Sequence, residues 1–328
     1  MAISVVDPIS PAVERTRQLL FRPFQLGKWF VLGFCAWLAE LGEGGGSAGV
    51  RMPFGGGGGA LAPAPGQAPG QGAPAGGMPP AMRSALEWVQ ANLVLVIAVA
   101  VGVVLVLVVI GLLLGWVQSR FKFIFLDNVV RDRTEIGDPW REFRREGNSL
   151  FWFNVLFSLA ASFAFVVLIG VAALLALPDI MARQYGASAM LAVAVGVPAL
   201  LMFVLFCWAI HLFLGDFVVP IMYLRRQGVM ASWSEFRGEL LLGRKGKFAL
   251  YFLFRAIVLT IIVGFIALAA TCATCCCAML PYLGSVILLP LSVFLRQYTL
   301  YYLEQYGPPW EFFGTGKPPA GDLEFLDV

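Results

Sequence analysis

The sequence contains 328 residues, of which 59% are hydrophobic and only 13% are charged, and its formal net charge is +3. This composition excludes an ordinary soluble globular protein, in which about 25% of residues are charged. The small net charge, and the lack of a basic stripe interleaved with aromatic residues, argue against a nucleic-acid partner. Lipid is therefore the expected environment of most of the chain.

Residues 1–27 are predicted to form an amphipathic segment at the membrane interface. Ser10 is expected to cap a helix that has Pro11 at its first position. Val13, Leu19 and Leu20 form the apolar side of this helix, and arginines suit anionic head groups on the other side. The charged residues of this stretch do not fit a cleavable signal peptide.

Apolar runs long enough to cross a bilayer predict an all-α, polytopic transmembrane helical bundle of about six spans. Residues 28–41 form a short first span, for which a re-entrant segment is the alternative. Residues 82–304 form a five-span bundle, and residues 305–328 form a cytoplasmic tail. The five spans are expected over 93–117, 150–177, 190–214, 248–277 and 281–303.

Residues 42–81 separate the first two spans and contain 15 Gly and 7 Pro. A stretch of this composition has too few apolar side chains to form a core, so a disordered extracytoplasmic loop is predicted. A specific binding role for this loop is the alternative.

The distribution of Lys and Arg predicts the orientation of the chain. Residues 1–28, 119–148 and 215–247 contain four, seven and six of these residues, whereas the opposite loops contain three. Basic loops remain in the cytoplasm, so an even number of spans predicts that both termini are cytoplasmic.

A short aromatic motif follows each pair of spans and indicates an internal repeat. Its copies are Trp140-Arg-Glu-Phe143, Trp233-Ser-Glu-Phe236 and Trp310-Glu-Phe312. The bundle is therefore predicted to consist of three repeated helical hairpins, each followed by an interfacial helix. The Trp and Phe side chains of the motif are predicted anchors in the head-group region, and a partner-binding surface is the alternative.

Two copies of the motif carry signals for the start of a helix. Ser232 and Glu235 have the spacing of a capping box, in which each side chain accepts a hydrogen bond from a backbone N–H. Asp138 precedes Pro139, which suits an N-cap followed by the first helical position. The interfacial helices are therefore expected to start at these two caps.

Four charged residues are predicted at membrane depth and form a candidate intramembrane polar layer. They are Arg120, Asp216, Arg255 and Arg296. Such residues usually face the interior of a bundle or a wet cavity. An Asp216–Arg255 pair that fixes helix register is the favoured interpretation. A site for an anionic head group or another anion, and proton or ion transport, are the alternatives.

The remaining polar residues do not form a catalytic motif. Cys272, Cys275, Cys276 and Cys277 are interpreted as packing residues, with redox chemistry, lipidation and metal binding as alternatives. The chain has a single histidine, His211, and no Walker A, His-Glu-x-x-His or Gly-x-Ser-x-Gly motif. The sequence therefore predicts no enzyme activity, no cofactor and no metal.

Three short motifs carry a resemblance to a known family. They are Gly27-Lys-Trp-Phe30, Trp140-Arg-Glu-Phe143 and Asp216-Phe-Val-Val-Pro220. In these motifs and in its hydropathy rhythm, the chain resembles uncharacterised prokaryotic multi-spanning membrane proteins grouped with the membrane domain of glycerophosphoryl diester phosphodiesterases. In the full enzymes a separate soluble barrel is catalytic. The resemblance therefore implies membrane association and lipid contact, in a prokaryotic cytoplasmic membrane, without phosphodiesterase activity.

Two functions are expected from the sequence. The first is a non-enzymatic scaffold or lipid-organising component of the cytoplasmic membrane, with membrane lipids, including anionic ones, as partners. The alternative is a transporter or lipid-handling protein with an intramembrane site for an anionic ligand or head group. A protein partner or a homo-oligomer is not specified by any motif in the chain.

Overall fold

The computed structural model describes residues 4–40, 88–182, 186–242, 245–274 and 281–313. Every regular element within these ranges is helical. The chain divides into two compact units, one formed by residues 1–50 and 115–328 and the other by residues 51–114. The predicted loop over 42–81 lies outside the described residues.

The helices are numbered here in chain order. They are α1 (Ile9–Phe21), α2 (Leu26–Glu40), α3 (Leu93–Arg131), α4 (Gly137–Glu142), α5 (Arg144–Ala182), α6 (Ala187–Phe213), α7 (Val219–Arg225), α8 (Val229–Glu235), α9 (Lys245–Leu253), α10 (Thr260–Ala273), α11 (Pro281–Ile287) and α12 (Leu289–Glu304). Three π-helical segments, Leu214–Val218, Phe236–Leu241 and Phe254–Leu259, adjoin them, and a 3₁₀ turn covers Pro308–Trp310.

Four helices in the described part of the chain are long and apolar enough to cross a membrane. They extend over Leu93–Arg131, Arg144–Asp179, Met190–Arg225 and Gly246–Ala273. At 1.5 Å per residue, a 36-residue helix is about 54 Å long and exceeds the hydrocarbon thickness of a bilayer. Each helix of 36 residues or more is therefore longer than the apolar stretch that a bilayer requires, and part of it extends past that stretch.

The 51–114 unit is described over residues 88–114, which are helical over 88–91 and again from Leu93 onward. Its Leu, Val and Ile side chains are exposed around the whole circumference of the helix. A helix that is apolar on all sides fits a lipid environment.

The larger unit has a core that is rich in aromatic rings, here called the aromatic base. Its central members are Phe217, Phe236, Phe248, Tyr251, Tyr298 and Tyr302, all nearly or completely buried. The ring of Phe217 lies 4.8 Å from that of Tyr251 and 5.2 Å from that of Phe236, measured between centroids. Aromatic pairs at these distances stabilise the folded protein beyond the contribution of burying their apolar surface.

The N-terminal helices pack against the C-terminal ones. Helix α1 lies against α12, where Thr16 donates a hydrogen bond to Oε1 of Gln297 at 2.9 Å. Leu19 and Leu20 are buried in the protein, so this part of the predicted apolar side faces other helices. Helix α2 lies along α11 so closely that a Cβ atom on Gly33 would lie 2.6 Å from Cγ2 of Val286.

The predicted helix caps are wrong. Helix α1 has Pro8 at its N-cap, and Ser10 lies inside the helix. Helix α8 starts at Val229 after Gly228, so Ser232 lies within it and is buried. Ser149 contributes instead, since its Oγ accepts a hydrogen bond from the N–H of Val229 at 3.1 Å.

Helix α4 also starts earlier than predicted, because Gly137 begins it and Ile136 is its N-cap. Asp138 therefore lies in the first turn, where a carboxylate interacts favourably with the helix dipole without capping.

Two predicted helix ends also differ. Helix α5 continues through Pro178 to Ala182, five residues past the predicted end of the span at residue 177. The predicted span over 281–303 is divided at Leu288 into two helices. Pro290 follows in the first turn of α12, and since proline lacks an N–H it is favoured at a helix start rather than within a helix.

Candidate functional site: an ion pair in two helical bulges

The predicted contact between Asp216 and Arg255 is present. Nε of Arg255 lies 3.3 Å from Oδ2 of Asp216, and the two side chains are 13% and 14% exposed, respectively. Both residues lie in candidate membrane spans. The two opposite charges compensate each other in a place with little solvent, where an unpaired ion would have a high free energy.

Both partners occupy π-helical segments. Asp216 lies in Leu214–Val218, and Arg255 lies in Phe254–Leu259. A π-helical turn contains an extra residue, which changes the direction of nearby side chains, and such turns are frequent at functional sites. Thr260 donates a hydrogen bond to the carbonyl oxygen of Arg255 at 3.1 Å.

Two further side chains extend this pair into a buried hydrogen-bonded network. The hydroxyl of Tyr251 donates to Oδ2 of Asp216 at 3.1 Å and lies 3.1 Å from Oγ1 of Thr299. The Thr299 hydroxyl in turn donates to the carbonyl oxygen of Leu295. The sequence interpretation missed Tyr251, although its position four residues before Arg255 places both on one helix face.

Arg296 approaches the same pair from α12. Its Nη1 donates a hydrogen bond to the carbonyl oxygen of Gly215 at 2.9 Å, next to Asp216. Arg296 thus places a second guanidinium-bearing residue close to the pair of Asp216 and Arg255. Three of the four residues of the predicted polar layer are thus brought together.

Arg120, the fourth, contacts a different set of side chains. It is 6% exposed, and its Cζ lies 4.3 Å from the ring centroid of Trp116 and 4.7 Å from that of Trp140. Its Nη2 donates to Oδ1 of Asn148 at 3.1 Å. Among the described residues no carboxylate pairs with it.

A second buried network, centred on Asp127, was not predicted. Asp127 is completely buried, and its Oδ1 accepts a hydrogen bond from the hydroxyl of Tyr223 at 2.9 Å. Nε of Arg131 lies 3.1 Å from the same oxygen, and Arg131 also reaches Glu142 at 3.4 Å. Glu142 is bound by Arg226 as well. The spacing of Asp127 and Arg131 at i and i+4 is the signal that the sequence contained.

The Phe side chains of the three repeated motifs are buried in the protein. Phe143, Phe236 and Phe312 are 1%, 2% and 8% exposed. The ring of Phe143 stacks on those of Phe123 and Tyr223. These contacts assign the Phe residues a packing role.

The Trp side chains of the motifs differ from one another. Trp310 is buried, whereas Trp140 and Trp233 are half-buried. The position of all six motif residues relative to a head-group region, in which they are predicted to be anchors, stays a prediction.

The polar residues of the described ranges do not form a metal site. No group of three or more His, Cys, Asp or Glu side chains lies close enough there to hold a metal ion. Cys272 is an exposed free thiol, and Cys275, Cys276 and Cys277 lie outside the described residues. Asp216 forms an ion pair and a hydrogen bond with its neighbours.

The long apolar helices and the polar networks between them define a helical membrane protein. The chain belongs to the family described as "Family of unknown function (DUF7544)", whose model matches residues 3–284. No curated protein and no solved structure matches the chain.

Proposed function

We propose that the protein is a non-enzymatic scaffold or lipid-organising component of a prokaryotic cytoplasmic membrane. One observation carries this proposal. The most apolar 18-residue stretch of each of three spans is almost entirely unburied in the protein. The buried share is 0% in Arg144–Asp179, 6% in Met190–Arg225 and 11% in Gly246–Ala273. Helices that enclose a transport path bury much of their surface against one another. These helices instead present their apolar surface outward, which favours extensive contact with lipid chains.

The resemblance to the membrane domain of glycerophosphoryl diester phosphodiesterases is part of this proposal. It adds the expectation of lipid contact and of membrane lipids, including anionic ones, as the partners.

An experiment with giant vesicles tests the proposed lipid-organising function. The protein is reconstituted with fluorescent phosphatidylglycerol in phosphatidylcholine, and lipid distribution and leakage are recorded together. Enrichment of the anionic lipid around the protein, with intact vesicles, is expected. Uniform lipid would refute the lipid-organising role.

The proposed topology has six spans and both termini in the cytoplasm. Helix α2 and the α11–α12 pair would be the first and sixth spans, in addition to the four long helices. The 15 residues of α2 extend only about 23 Å. The packing of α2 along α11 supports their crossing side by side. Reporter fusions at the C-terminus and within 55–80 are expected to lie on opposite sides. A common side for both would overturn this topology.

The proposed architecture is a threefold repeat of helical hairpins. Two polar contacts support it, because in two of the three copies the last residues of the return helix bind the motif that follows. Nε of Arg225 lies 3.0 Å from Oε1 of Glu235, and Glu304 accepts a hydrogen bond from the N–H of Phe312 at 3.0 Å. An experimental structure tests this repeat by superposition of the three hairpins.

Transport or handling of an anionic ligand is the second candidate function. It is favoured by the position of Asp216 and Arg255 in π-helical segments, which are frequent at functional sites, with Arg296 close by. Vesicles that contain a fluorescent phosphate sensor provide the test, with inorganic phosphate added outside. Uptake that Arg255→Gln abolishes would support this candidate, and the absence of uptake would favour the scaffold.

A further inference from the structure

We propose that the guanidinium of Arg120 and the amide of Asn148 form a binding site for a phosphate group. The phosphate belongs either to an anionic lipid head group or to a free anion, and the first case rests on the proposed lipid-organising function. The two cases share the same chemistry, and the experiment below separates them.

The first argument is the charge of Arg120. The side chain is buried except for 6% of its surface, and no carboxylate of the described residues pairs with it. The nearby charge of Arg144 has the same sign. Buried charges in proteins are normally paired, because removing an ion from water is costly. An anion that binds here would supply the missing charge.

The second argument is the way in which the guanidinium is held. Two indole rings, of Trp116 and Trp140, lie 4.3 and 4.7 Å from its Cζ, and these rings meet edge to face. Gly147 allows α5 to approach, since a Cβ atom there would lie 2.8 Å from Cγ of Arg120. The side chain is thus fixed in one orientation before any ligand arrives, which lowers the entropic cost of binding.

The third argument is the set of hydrogen-bond donors. Nε of Arg120 is buried and lacks an acceptor among the described residues. Oδ1 of Asn148 accepts hydrogen bonds from Nη2 of Arg120 and from Nε1 of Trp116, each at 3.1 Å. In the described part of the chain its Nδ2 donates to no group, and Asn148 is half-buried. Arginine and amide N–H groups are the donors that phosphate oxygens prefer.

The location of the site suits a lipid ligand. The apolar run of α3 ends at Val117, only three residues before Arg120, so the site lies where hydrocarbon gives way to head groups. Indole rings are enriched at this level of a membrane. A phosphatidylglycerol head group, with one negative charge, matches the single uncompensated guanidinium.

The experiment compares lipid retention by native mass spectrometry after release from nanodiscs of equal phosphatidylglycerol and phosphatidylcholine. The wild-type protein is expected to retain phosphatidylglycerol preferentially. Arg120→Gln should lower this retention about tenfold, which corresponds to one charge-assisted hydrogen bond. Arg237→Gln, which removes an exposed arginine, is the matched control and should retain the lipid as the wild type does.

A second variant guards against a folding defect in Arg120→Gln. Asn148→Asp keeps the shape of the side chain and places a carboxylate at the atom that Nη2 of Arg120 already contacts. The internal carboxylate should neutralise Arg120, raise the thermal unfolding midpoint in lipid-free detergent, and abolish preferential retention. An Asn148→Asp protein that still retains phosphatidylglycerol like the wild type would overturn the site.

A titration with inorganic phosphate separates the two sources of the ligand. Retained phosphatidylglycerol identifies the lipid. Without such retention, a phosphate-dependent rise of the unfolding midpoint in the wild type, absent from Asn148→Asp, identifies a free anion. Neither response in the wild type refutes the site. The experiment with giant vesicles tests the lipid-organising function separately from this site. If the Arg120→Gln protein still enriches the anionic lipid, the site is refuted but the lipid-organising function is not.

Discussion

Helices α5 and α6 belong to the same unit as the aromatic base. The large apolar side chains point outward in the two helices and inward in the aromatic base. The two helices pack on each other through small residues, such as Gly196 against Ala172, and their large side chains face outward. Phe163, for example, is 72% exposed, whereas Phe217 in the base is completely buried. The difference shows that hydrophobic residues in this chain serve two purposes, contact with lipid and internal packing.

The polar groups follow the same division. The ion pair of Asp216 and Arg255 adjoins the buried rings of the base, and the hydroxyl of Tyr251 belongs to both. The outward-facing parts of α5 and α6 contain few polar groups. Stability against unfolding should therefore reside mainly in the base, and the following predictions test this expectation in order of decreasing effect.

The same substitution in each region gives the sharpest test. Phe217→Ala leaves a cavity in a close-packed cluster and should lower the free energy of unfolding by about 3–5 kcal/mol. Phe163→Ala removes an outward-facing ring and should change it by less than about 0.5 kcal/mol. Thermal unfolding in a mild detergent measures both. Equal losses would mean that the exposed helices are packed against protein.

The ion pair should show strong coupling between its partners. Asp216→Asn leaves Arg255 largely buried without its counter-charge and should cost about 3 kcal/mol. Replacing Asp216 by Leu and Arg255 by Met together should recover much of this loss, because removing a buried pair as a whole is often nearly neutral. A double-mutant cycle of unfolding free energies provides the measurement. Additive losses would show that the pair does not act as a unit.

Close packing of α2 and α11 predicts a smaller but position-specific effect. Gly33→Ala would place a methyl group 2.6 Å from a side-chain atom of Val286 and 3.1 Å from its Cα. The resulting overpacking should cost about 1–3 kcal/mol. Gly27→Ala, in the same helix but with nothing within 4 Å of the new atom, is the control. A Gly33→Ala protein as stable as this control would contradict the packing of the two helices.

The smallest expected effect concerns Glu304, at the end of α12. Burial raises the pKa of its carboxyl, although the N–H groups of Phe312 and Phe313 oppose this. A raised pKa in the folded state favours folding at low pH and loses this advantage as pH rises through it. Glu304→Gln keeps an acceptor for both N–H groups and should slightly raise the unfolding midpoint at pH 7. This difference should decrease as the pH is lowered below the unfolded-state pKa.

The sequence contained enough information for the membrane helices and for one polar contact. Apolar runs identified the four long spans, because a bilayer requires about 20 apolar residues in succession. The pair of Asp216 and Arg255 followed from charge, since one carboxylate at membrane depth needs a cation. The contacts of Tyr251 and Asp127 could have been predicted in the same way, because each has an arginine four residues later, Arg255 and Arg131 respectively.

The caps and the bulges were not within reach of the sequence. Ser232 matched the N-cap of a capping box, yet the N-cap of α8 is Gly228, four residues earlier, and Ser149 from another helix accepts a hydrogen bond from the N–H of Val229. Nothing local to Asp216 or Arg255 indicates a π-helical segment. Such turns are rare, and they occur mostly as single turns within α-helices, frequently at functional sites.

The sequence by itself determined the helical class, the long apolar segments and the need to pair Asp216, because these depend on composition and on periodicity along one chain. Only the tertiary structure decided which apolar residues are internal, which helix accompanies α2, and that Arg120 is held by two indole rings and an amide. Those features depend on residues far apart in sequence, and the cost of burying a group is defined only once its neighbours are in place.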